Sequence, residues 1–415
     1  MASAGLFCKV SDREWGLLGY LAIDRFIDGS SCGGIRWGPS VSREEIEALS
    51  YDMTLKYGFC NIPLGGAKSG IIAPSELSPG QKRKRLLAFG RQLGPLLRSG
   101  AYIPGADLGT SHQDMLTVLE GAGLRQRNPE NGSAAGYFTG YGVVQAILVA
   151  LRRLGLKPEE CTAGIDGFGK VGGTIVELLA ERGVSMVAVA TKYGALFRPE
   201  GLPVKELLSW RDSPDPAWVQ RYPNAERMPL EGLYTLPMDI LIPCAGPWVI
   251  NEGNVARVKA KAVVPGANIP ATREVQVSLE KRGVLYLPDS MCNCAGVMAN
   301  ALAWKGLTRE QIERFLREVL ALRMERILHL ASVSNQSPVV VAEQFALRNV
   351  ERLERFSEEK RRSRWARASL LFRDPERLLL GVASRAYRRG GSLARWLAPL
   401  AWQEAVRAFE RDTPD

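Results

Sequence analysis

The stretch TAGIDGFGKVGGTIVELLAERGVSMVAVA (162–190) decides the fold. Its apolar ends, 162–166 and 184–190, predict two buried strands. Between them a glycine turn at 167–173 opens a helix over 174–183, which makes a βαβ unit of ordinary length. The sequence therefore predicts an α/β fold with a parallel, doubly wound sheet. Further apolar strands alternate with helical or turn segments downstream, at 238–243, 260–265 and 284–288.

The glycine turn has the spacing GxGxxG. In a dinucleotide site the first glycine permits the tight turn, the second lets the backbone approach a pyrophosphate, and the third lets helix and strand pack closely. Glycine is frequent, so the alternative is a merely structural turn. Because the pattern follows a strand and opens a helix, we predict a Rossmann-type dinucleotide-binding loop. Its predicted cofactor-binding residues are Gly167, Gly169, Lys170, Val171 and Gly172.

The second strand of this unit ends in Ala190-Thr191-Lys192, where an acid commonly holds the adenosine ribose diol. A hydroxyl and an ammonium suit a 2′-phosphate better than a bare diol. We therefore expect NADP or NAD as the cofactor, with NADP favoured, and Thr191 and Lys192 as its contacts. The alternative is that Lys192 is a solvated turn lysine.

Upstream of this unit, a strand is predicted at LLGYLAI (17–23), and a glycine-rich turn at IPLGGAKSGII (62–72). Ser42 with Glu45 forms a capping-box pattern that opens a helix toward Tyr57. Further predicted elements are a helix at 79–97, a linker at 127–136 and a helix at 141–154.

Lys68 lies between paired glycines in GGAKSG. In a cleft its amine would be desolvated and its pKa lowered, which suits a general acid or base near neutral pH. A surface-loop lysine is the alternative. Asp107, in PGADLGTS, is the candidate partner carboxylate, although an Asp-Leu-Gly is more often a turn. Lys56 is a second candidate, near the end of an otherwise apolar helix.

The composition bounds the function classes. The 415 residues argue for two or three domains, and the 46% hydrophobic and 24% charged shares are ordinary for a globular protein. No apolar run is long enough to span a bilayer, and the N-terminus lacks the pattern of a signal peptide. The seven cysteines are scattered without metal-ligand spacing. We expect a reduced, cytoplasmic protein without a metal site.

The positive charge is concentrated near the C-terminus. Ten arginines and two acids between Arg361 and Arg395 give +8 of the formal net charge of +10, which leaves about +2 for the remaining chain. A protein that tracks phosphate backbones would carry its charge on the folded domains, so we expect no nucleic-acid partner. In the tail, 356–415, arginines alternate with apolar residues at helical spacing. It is interpreted as helices packing on the core or on another subunit. A membrane-surface or acidic-partner contact and a nucleic-acid contact are the alternatives for the tail.

The segment GGIRWGPSVSREEIEALSYDMTLKYGFCNIPLGGAKSGI (33–71) resembles the signature region of the glutamate/leucine/phenylalanine/valine dehydrogenase family. The resemblance covers roughly residues 15–355 in the family's order. It implies a substrate domain at 1–133, a Rossmann-type domain at 134–305 and returning helices at 306–355. The other matching segments are IPGADLGTS (103–111), TGYGVV (139–144), GFGKVG (167–172), PGANIPAT (265–272) and PDSMCNCAGV (288–297).

The resemblance implies oxidative deamination of an L-amino acid to a 2-oxo acid and ammonia by a homo-oligomeric enzyme. Lys56 matches the lysine that holds the substrate α-carboxylate. Lys68 matches the catalytic lysine, which activates water and stabilises the carbinolamine, and Asp107 matches the carboxylate that shuttles protons to and from the amino group. The positions that match polar residues on the cofactor and nicotinamide side are Thr139, Asn268 and Asn293.

Two departures bear on the substrate. Cys32 stands where glutamate-specific members have a lysine that meets the side-chain carboxylate, and Asn300 stands where they have a serine. Without the cation, a distal carboxylate is left unpaired in a closed cleft. Cys32 and Asn300 are therefore predicted to line an apolar substrate's pocket. Lys170 and Asp166 are also unusual for the family and bear on how the cofactor is held.

Two other function classes remain open on the sequence. One is a non-catalytic or regulatory nucleotide-binding paralogue that acts through its C-terminal tail. The other is a redox enzyme of the same fold that acts on a non-amino-acid carbonyl. The set Lys56, Lys68 and Asp107 favours the dehydrogenase, because a drifting pseudoenzyme need not keep it.

Overall fold

The computed structural model describes residues 5–74, 77–124 and 134–362. The chain divides into two compact units: the first runs up to Ser133 and resumes at Phe345, and the second runs from Ala134 to Gln344. The predicted tail from residue 363 onward, and the predicted linker up to Ser133, lie outside the described residues.

The described part of the first unit holds a five-stranded mixed sheet in the order β1-β2-β4-β3-β5. Strand β2 is antiparallel to β1 and β4, and β3 is parallel to β4 and β5. The strands are β1 (Leu6–Asp12), β2 (Leu17–Ile23), β3 (Ser31–Gly38), β4 (Gly65–Ile72) and β5 (Tyr102–Ala106). The helices are α1 (Arg43–Phe59), α2 (Pro79–Gln92), α3 (Gly94–Ser99) and α4 (His112–Gly121).

The glycine-rich segment predicted as a turn is strand β4, which lies between β2 and β3, so that prediction was wrong. The physical reason is the covering helix. A Cβ at Gly66 would overlap the backbone of Thr54 in α1, and one at Gly70 would lie 2.6 Å from Val41 Cγ1. The glycines let α1 pack closely on the strand. Successive residues of a strand point to opposite faces of the sheet, so Lys68, midway between Gly66 and Gly70, lies on the same face, toward α1.

Helix α1 begins as predicted, but only one of the two hydrogen bonds of a capping box is formed. The Ser42 hydroxyl accepts a hydrogen bond from the Glu45 amide at 3.1 Å, whereas the Glu45 carboxylate pairs with Arg36. The helix predicted over 79–97 is two helices, because Pro95 in the first turn of α3 cannot donate the hydrogen bond that would continue α2. The core of this unit is a cluster of buried apolar residues that includes Ile35 and Phe89.

The described part of the second unit holds a seven-stranded sheet in the order β12-β11-β10-β6-β7-β8-β9. The strands are β6 (Thr162–Asp166), β7 (Ser185–Thr191), β8 (Gly194–Phe197), β9 (Glu226–Met228), β10 (Ile240–Pro243), β11 (Ala262–Val263) and β12 (Leu285–Tyr286). The helices are α5 (Ala135–Leu154), α6 (Lys170–Ala180), α7 (Val204–Arg211), α8 (Arg273–Lys281), α9 (Asp289–Cys292), α10 (Ala295–Trp304), α11 (Arg309–Phe315) and α12 (Ala321–Val333). Helix α13 (Pro338–Arg362) begins in the second unit and ends in the first.

The predicted doubly wound, parallel sheet is confirmed for β12 through β7. Beyond β7 the sheet is antiparallel: a tight turn joins β7 to β8, and β9 pairs with β8 after a connection that contains α7. Helix α6 begins at Lys170, four residues before its predicted start, since Gly169 serves as its N-cap. The helical region predicted after residue 306 is α11 to α13, with a π-helical segment at Leu316–Leu320.

None of the helices within 5–74, 77–124 and 134–362 is long and apolar enough to cross a membrane. In the same ranges no group of His, Cys, Asp or Glu side chains is arranged to hold a metal ion.

The packing of α1 on β4 makes Gly66 intolerant of a side chain. Gly66→Ala is expected to lower the free energy of unfolding by about 1–3 kcal/mol, because a methyl group would force the helix away from the strand. Gly38→Ala, in β3, is the matched control, since no atom lies within 4 Å of its Cβ position. Urea unfolding followed by circular dichroism compares the two. Equal effects would contradict the close packing of α1.

Candidate active site and dinucleotide site

A buried ion pair occupies the middle of the first unit's sheet. Lys68 Nζ lies 2.7 Å from Asp107 Oδ2, and the exposed fractions of the two side chains are 3% and 16%. Lys68 comes from β4 and Asp107 from the turn after β5, and β3 lies between these strands. The surface-loop alternative for Lys68 was wrong, because α1 covers the strand.

The turn after β5 fixes the carboxylate. The Asp107 amide donates to Thr110 Oγ1 at 2.8 Å, and that hydroxyl donates to the Ile35 carbonyl of β3 at 2.7 Å. Gly109 has φ of +78°, and a Cβ there would overlap the Trp37 carbonyl. The turn therefore requires glycine, and it holds Asp107 against the sheet.

Arg36, which the sequence analysis did not single out, is the second cation on Asp107. Its Nε donates to Asp107 Oδ2 at 3.2 Å, and its Nη1 pairs with Glu45 of α1. Arg36 and Glu45 are both buried. In the sequence, Arg36 could have been noticed as an arginine two residues after a glycine pair within a strand. Its partner Asp107 is 71 residues away, so the sequence does not show the pairing.

The surroundings set the charge state of the pair. Burial alone would raise the pKa of the Asp107 carboxyl, but the Lys68 ammonium and the Arg36 guanidinium together hold that pKa well below its usual range. Burial lowers the pKa of Lys68; Asp107 opposes this change, and the charges of Arg36 and Lys56 add to it. The arrangement gives a firmly ionised carboxylate beside an amine that releases its proton more readily than an ordinary lysine.

Lys56 forms a separate buried pair on α1. Its Nζ lies 3.0 Å from Asp52 Oδ2, one helical turn earlier. With Arg36–Glu45 and Lys68–Asp107, the described cluster holds equal numbers of cations and carboxylates, which are Arg36, Lys56 and Lys68 against Glu45, Asp52 and Asp107. Its formal charge is therefore balanced.

Cys32 lies on β3, on the side of the sheet that α1 covers. Burial raises the pKa of the Cys32 thiol, and the Tyr57 hydrogen bond and Lys68 oppose this only in part. Cys32 is thus a neutral, weakly polar group near Lys68. On the neighbouring strands, Tyr102 donates to the Gly33 carbonyl at 3.0 Å and lies 2.9 Å from Ser69 Oγ.

In the second unit the three glycines of the βα turn have distinct geometry. Gly167 has φ of +100°, and its Cβ would lie 2.7 Å from the Ala245 amide. A Cβ at Gly172 would overlap the Gly167 carbonyl, whereas no atom lies within 4 Å of the Cβ position of Gly169. The middle glycine therefore faces open space at the N-terminus of α6, as a pyrophosphate requires. Lys170, which is exposed, and Val171 begin that helix.

Asp166 lies inside the sheet. The Tyr234 hydroxyl donates to its Oδ2 at 2.6 Å, and its Oδ1 has no hydrogen-bond partner among the described residues. Burial raises the pKa of this carboxyl, and the Tyr234 hydrogen bond offsets part of the effect.

At the end of β7, Thr191 and Lys192 form the hairpin that leads into β8. Thr191 Oγ1 accepts a hydrogen bond from the Tyr193 amide at 3.2 Å, and Lys192 Nζ lies 4.9 Å from the centre of the Tyr193 ring. Lys192 is exposed, so both the phosphate-contact hypothesis and the turn-lysine alternative fit its position.

An amide cluster follows β11 and β12. Asn293 Nδ2 donates to the Ala267 carbonyl at 3.0 Å and to Asn268 Oδ1 at 3.1 Å. Asn293 Oδ1 is buried and has no hydrogen-bond partner in the described part of the chain. A lone buried acceptor with its other end fixed suits an amide donor such as a nicotinamide carboxamide.

Two predicted positions have simpler surroundings. The Thr139 hydroxyl donates to the Ala135 carbonyl within α5 at 2.8 Å and lies against Gly296. Asn300 is exposed on α10 of the second unit. Their predicted contacts with cofactor and substrate stay predictions.

The ion-pair geometry makes Arg36 essential to the first unit. Arg36→Gln is expected to lower the free energy of unfolding by about 3–5 kcal/mol, because it leaves Glu45 buried without its cation. Arg43→Gln removes an exposed pair with Glu47 on the same helix and is expected to cost at most about 1 kcal/mol. Urea unfolding of both variants at neutral pH measures the difference. Similar costs would show that the Arg36 pairs are not structurally important.

Comparisons with known proteins place this geometry in a family. Residues 133–357 match the model of the glutamate/leucine/phenylalanine/valine dehydrogenases, and residues 8–122 match the model of their dimerisation domain. The glutamate dehydrogenase of Thermotoga maritima is 33% identical over 300 residues, which are 69% of this chain and 72% of that protein. The NAD-specific glutamate dehydrogenase of Staphylococcus aureus is 31% identical over 335 residues, 75% of this chain and 80% of that protein.

Solved structures share the fold. A hetero-hexameric glutamate dehydrogenase from Thermus thermophilus, in a leucine-bound form, has a TM-score of 0.72 at 24% identity and covers 84% of this chain and 88% of its own. The L-tryptophan dehydrogenase of Nostoc punctiforme has a TM-score of 0.58 at 22% identity, with coverages of 85% and 97%. With the family models matching most of the sequence, this chain belongs to the glutamate/leucine/phenylalanine/valine dehydrogenase family.

Proposed function

We propose that this protein catalyses the NAD(P)-dependent oxidative deamination of an apolar L-amino acid to a 2-oxo acid and ammonia. The observation that carries the proposal is the buried Lys68–Asp107 pair, in which a lysine of lowered pKa touches a firmly ionised carboxylate. Such a pair can hold and release a proton during the reaction. The regulatory alternative is not favoured, because the proposed catalytic groups are present and paired.

Lys56 is proposed to bind the substrate α-carboxylate. Its ammonium is buried on α1 and already faces the Asp52 carboxylate at 3.0 Å. A second carboxylate would share the ammonium, whose several donors can serve two acceptors. Asp52 would then keep the lysine oriented while substrate enters and leaves.

Lys68 and Asp107 are proposed to transfer protons during the reaction at the substrate's α-carbon. Lys68 would take a proton from the attacking water and stabilise the charge that develops on the carbinolamine oxygen. Asp107, the more exposed member of the pair, would move protons to and from the leaving amino group. When bound, the nicotinamide supplies the acceptor for the hydride. Asn293 would hold its carboxamide, and Gly169 would leave room for the pyrophosphate.

The charge balance of the cluster supports an apolar substrate. Lys56 is assigned to the α-carboxylate, and Arg36 and Lys68 pair with Glu45 and Asp107, so these three cations leave none for a side-chain carboxylate. Cys32, a neutral thiol, occupies the position of the expected lysine. Glutamate is the second candidate, because the Thermotoga and Staphylococcus relatives are glutamate dehydrogenases.

The cofactor inference rests on the hairpin after β7. Thr191 and Lys192 present a hydroxyl and an exposed ammonium, with no acid among residues 190–194 to repel a 2′-phosphate. We infer that NADP is used at least as well as NAD. The Staphylococcus relative is NAD-specific, which makes NAD the alternative. For assembly, the match to the family's dimerisation domain supports a homo-oligomer.

Loss of either member of the pair is expected to reduce turnover. Lys68→Ala and Asp107→Asn should each lower kcat by about 10²–10⁴-fold, since each removes a proton-transfer group. Arg83→Ala removes an exposed ion pair of the same unit, with Glu120, and should leave kcat nearly unchanged. Cofactor affinity, measured by titration with NADH, should be similar in all variants. Near-normal turnover in either variant of the pair would refute its assignment.

Substrate preference separates the two candidate substrates. Across a panel of L-amino acids assayed with NAD and with NADP, kcat/KM for apolar substrates should exceed that for glutamate by at least about tenfold, or 1.4 kcal/mol. Cys32→Lys should raise relative activity on glutamate by supplying a cation. Cys32→Met, of similar length but uncharged, is the control and should not. A wild-type preference for glutamate would refute the proposal of an apolar substrate.

A further inference from the structure

Trp248 combines two unusual features in the second unit. Its backbone is left-handed, with φ of +53°, a conformation that costs free energy for any residue with a side chain other than Asn or Asp. The residue is nevertheless 39% exposed, so the strain is not offset by full burial in the core.

The residue stands at the topological switch point of the sheet. Strand β6 has β7 on one side and β10 on the other, and Trp248 lies in the loop at the carboxyl end of β10. Ligands of doubly wound sheets bind in the crevice at this point. The same loop abuts the glycine turn, because the Cys244 amide donates to the Asp166 carbonyl at 2.6 Å and Ala245 lies against Gly167.

Neighbouring loops hold the backbone of Trp248 in place. Its amide donates to the Ile269 carbonyl at 3.0 Å, and its carbonyl accepts from Asn251 Nδ2 at 3.4 Å. Ile269 is itself left-handed, with φ of +43°, and its amide donates to Asp289 Oδ2 at 2.7 Å. Asn268, the next residue back, joins the Asn293 cluster. Trp248 is therefore fixed on the side of the glycine turn away from β7.

We propose that the indole of Trp248 is a wall of the dinucleotide crevice and packs on the nicotinamide-ribose half of the cofactor. The proposal rests on the proposed dinucleotide function. The pyrophosphate would lie at Gly169 and the adenosine half toward Thr191 and Lys192 on β7, which leaves the β10 side for the nicotinamide half. An exposed aromatic face held by a rigid backbone packs on such a group with little loss of entropy.

The test measures binding to the full-length protein without an amino-acid substrate. Trp248→Asn keeps a residue that tolerates the left-handed backbone and removes the indole. We expect the Kd for NADH, from fluorescence titration, to rise by about tenfold, or 1.4 kcal/mol. The Kd for AMP, from calorimetry, should change less than twofold, and the Tm of the unliganded protein should be unchanged or higher.

Trp304→Phe is the matched control, because Trp304 is a 51% exposed tryptophan at the far end of α10. It should leave both Kd values and the Tm unchanged. An unchanged NADH affinity in Trp248→Asn would overturn the proposal, as would a fall in Tm or a change of oligomeric state without a change in Kd. Equal weakening of NADH and AMP would also overturn it. Failure of the wild-type protein to bind NADH would refute the dinucleotide function instead.

Discussion

A lysine ammonium in the middle of a sheet is stable only when a carboxylate meets it, and the first unit is organised around that requirement for Lys68. Gly66 and Gly70 let α1 lie directly on β4, which removes Lys68 from water. The turn after β5 then brings Asp107 to 2.7 Å from Nζ. Arg36 supports the same carboxylate and joins it to Glu45 of the covering helix. Packing and charge pairing are therefore satisfied by the same few residues.

The balance of charges in this cluster is the basis of the proposed substrate preference. Burial favours the neutral amine on Lys68, while Asp107 favours the ammonium, so the pKa of Lys68 is lowered less than burial alone would lower it. Under the proposed function, an amino acid with an apolar side chain brings one carboxylate, which Lys56 would bind. The second unit contributes different chemistry: backbone space at Gly169 and the lone acceptor on Asn293.

The second unit was the more predictable from sequence, because its strands and glycine turn are local patterns. The strand predicted at 162–166 is β6, residue for residue. The first unit was harder, because its key contacts join distant segments. A glycine-rich run predicts a turn, and only the presence of α1 above it explains why GGAKSG is a strand. The role of Arg36 depends on Asp107, which lies 71 residues away in the sequence. The ionised Asp107 likewise could be predicted as a candidate, but not as a carboxylate held by two cations.

The central claim is that burial beside Asp107 shifts the ionisation of Lys68. The most direct measurement is a pH titration of Lys68 by NMR of ¹³Cε-labelled lysine, assigned with a Lys68→Arg variant. The account predicts a pKa below that of an ordinary lysine, and a further fall in Asp107→Asn, because the carboxylate is what favours the charged form. A pKa at or above the ordinary value, or one that Asp107→Asn leaves unchanged, would contradict it.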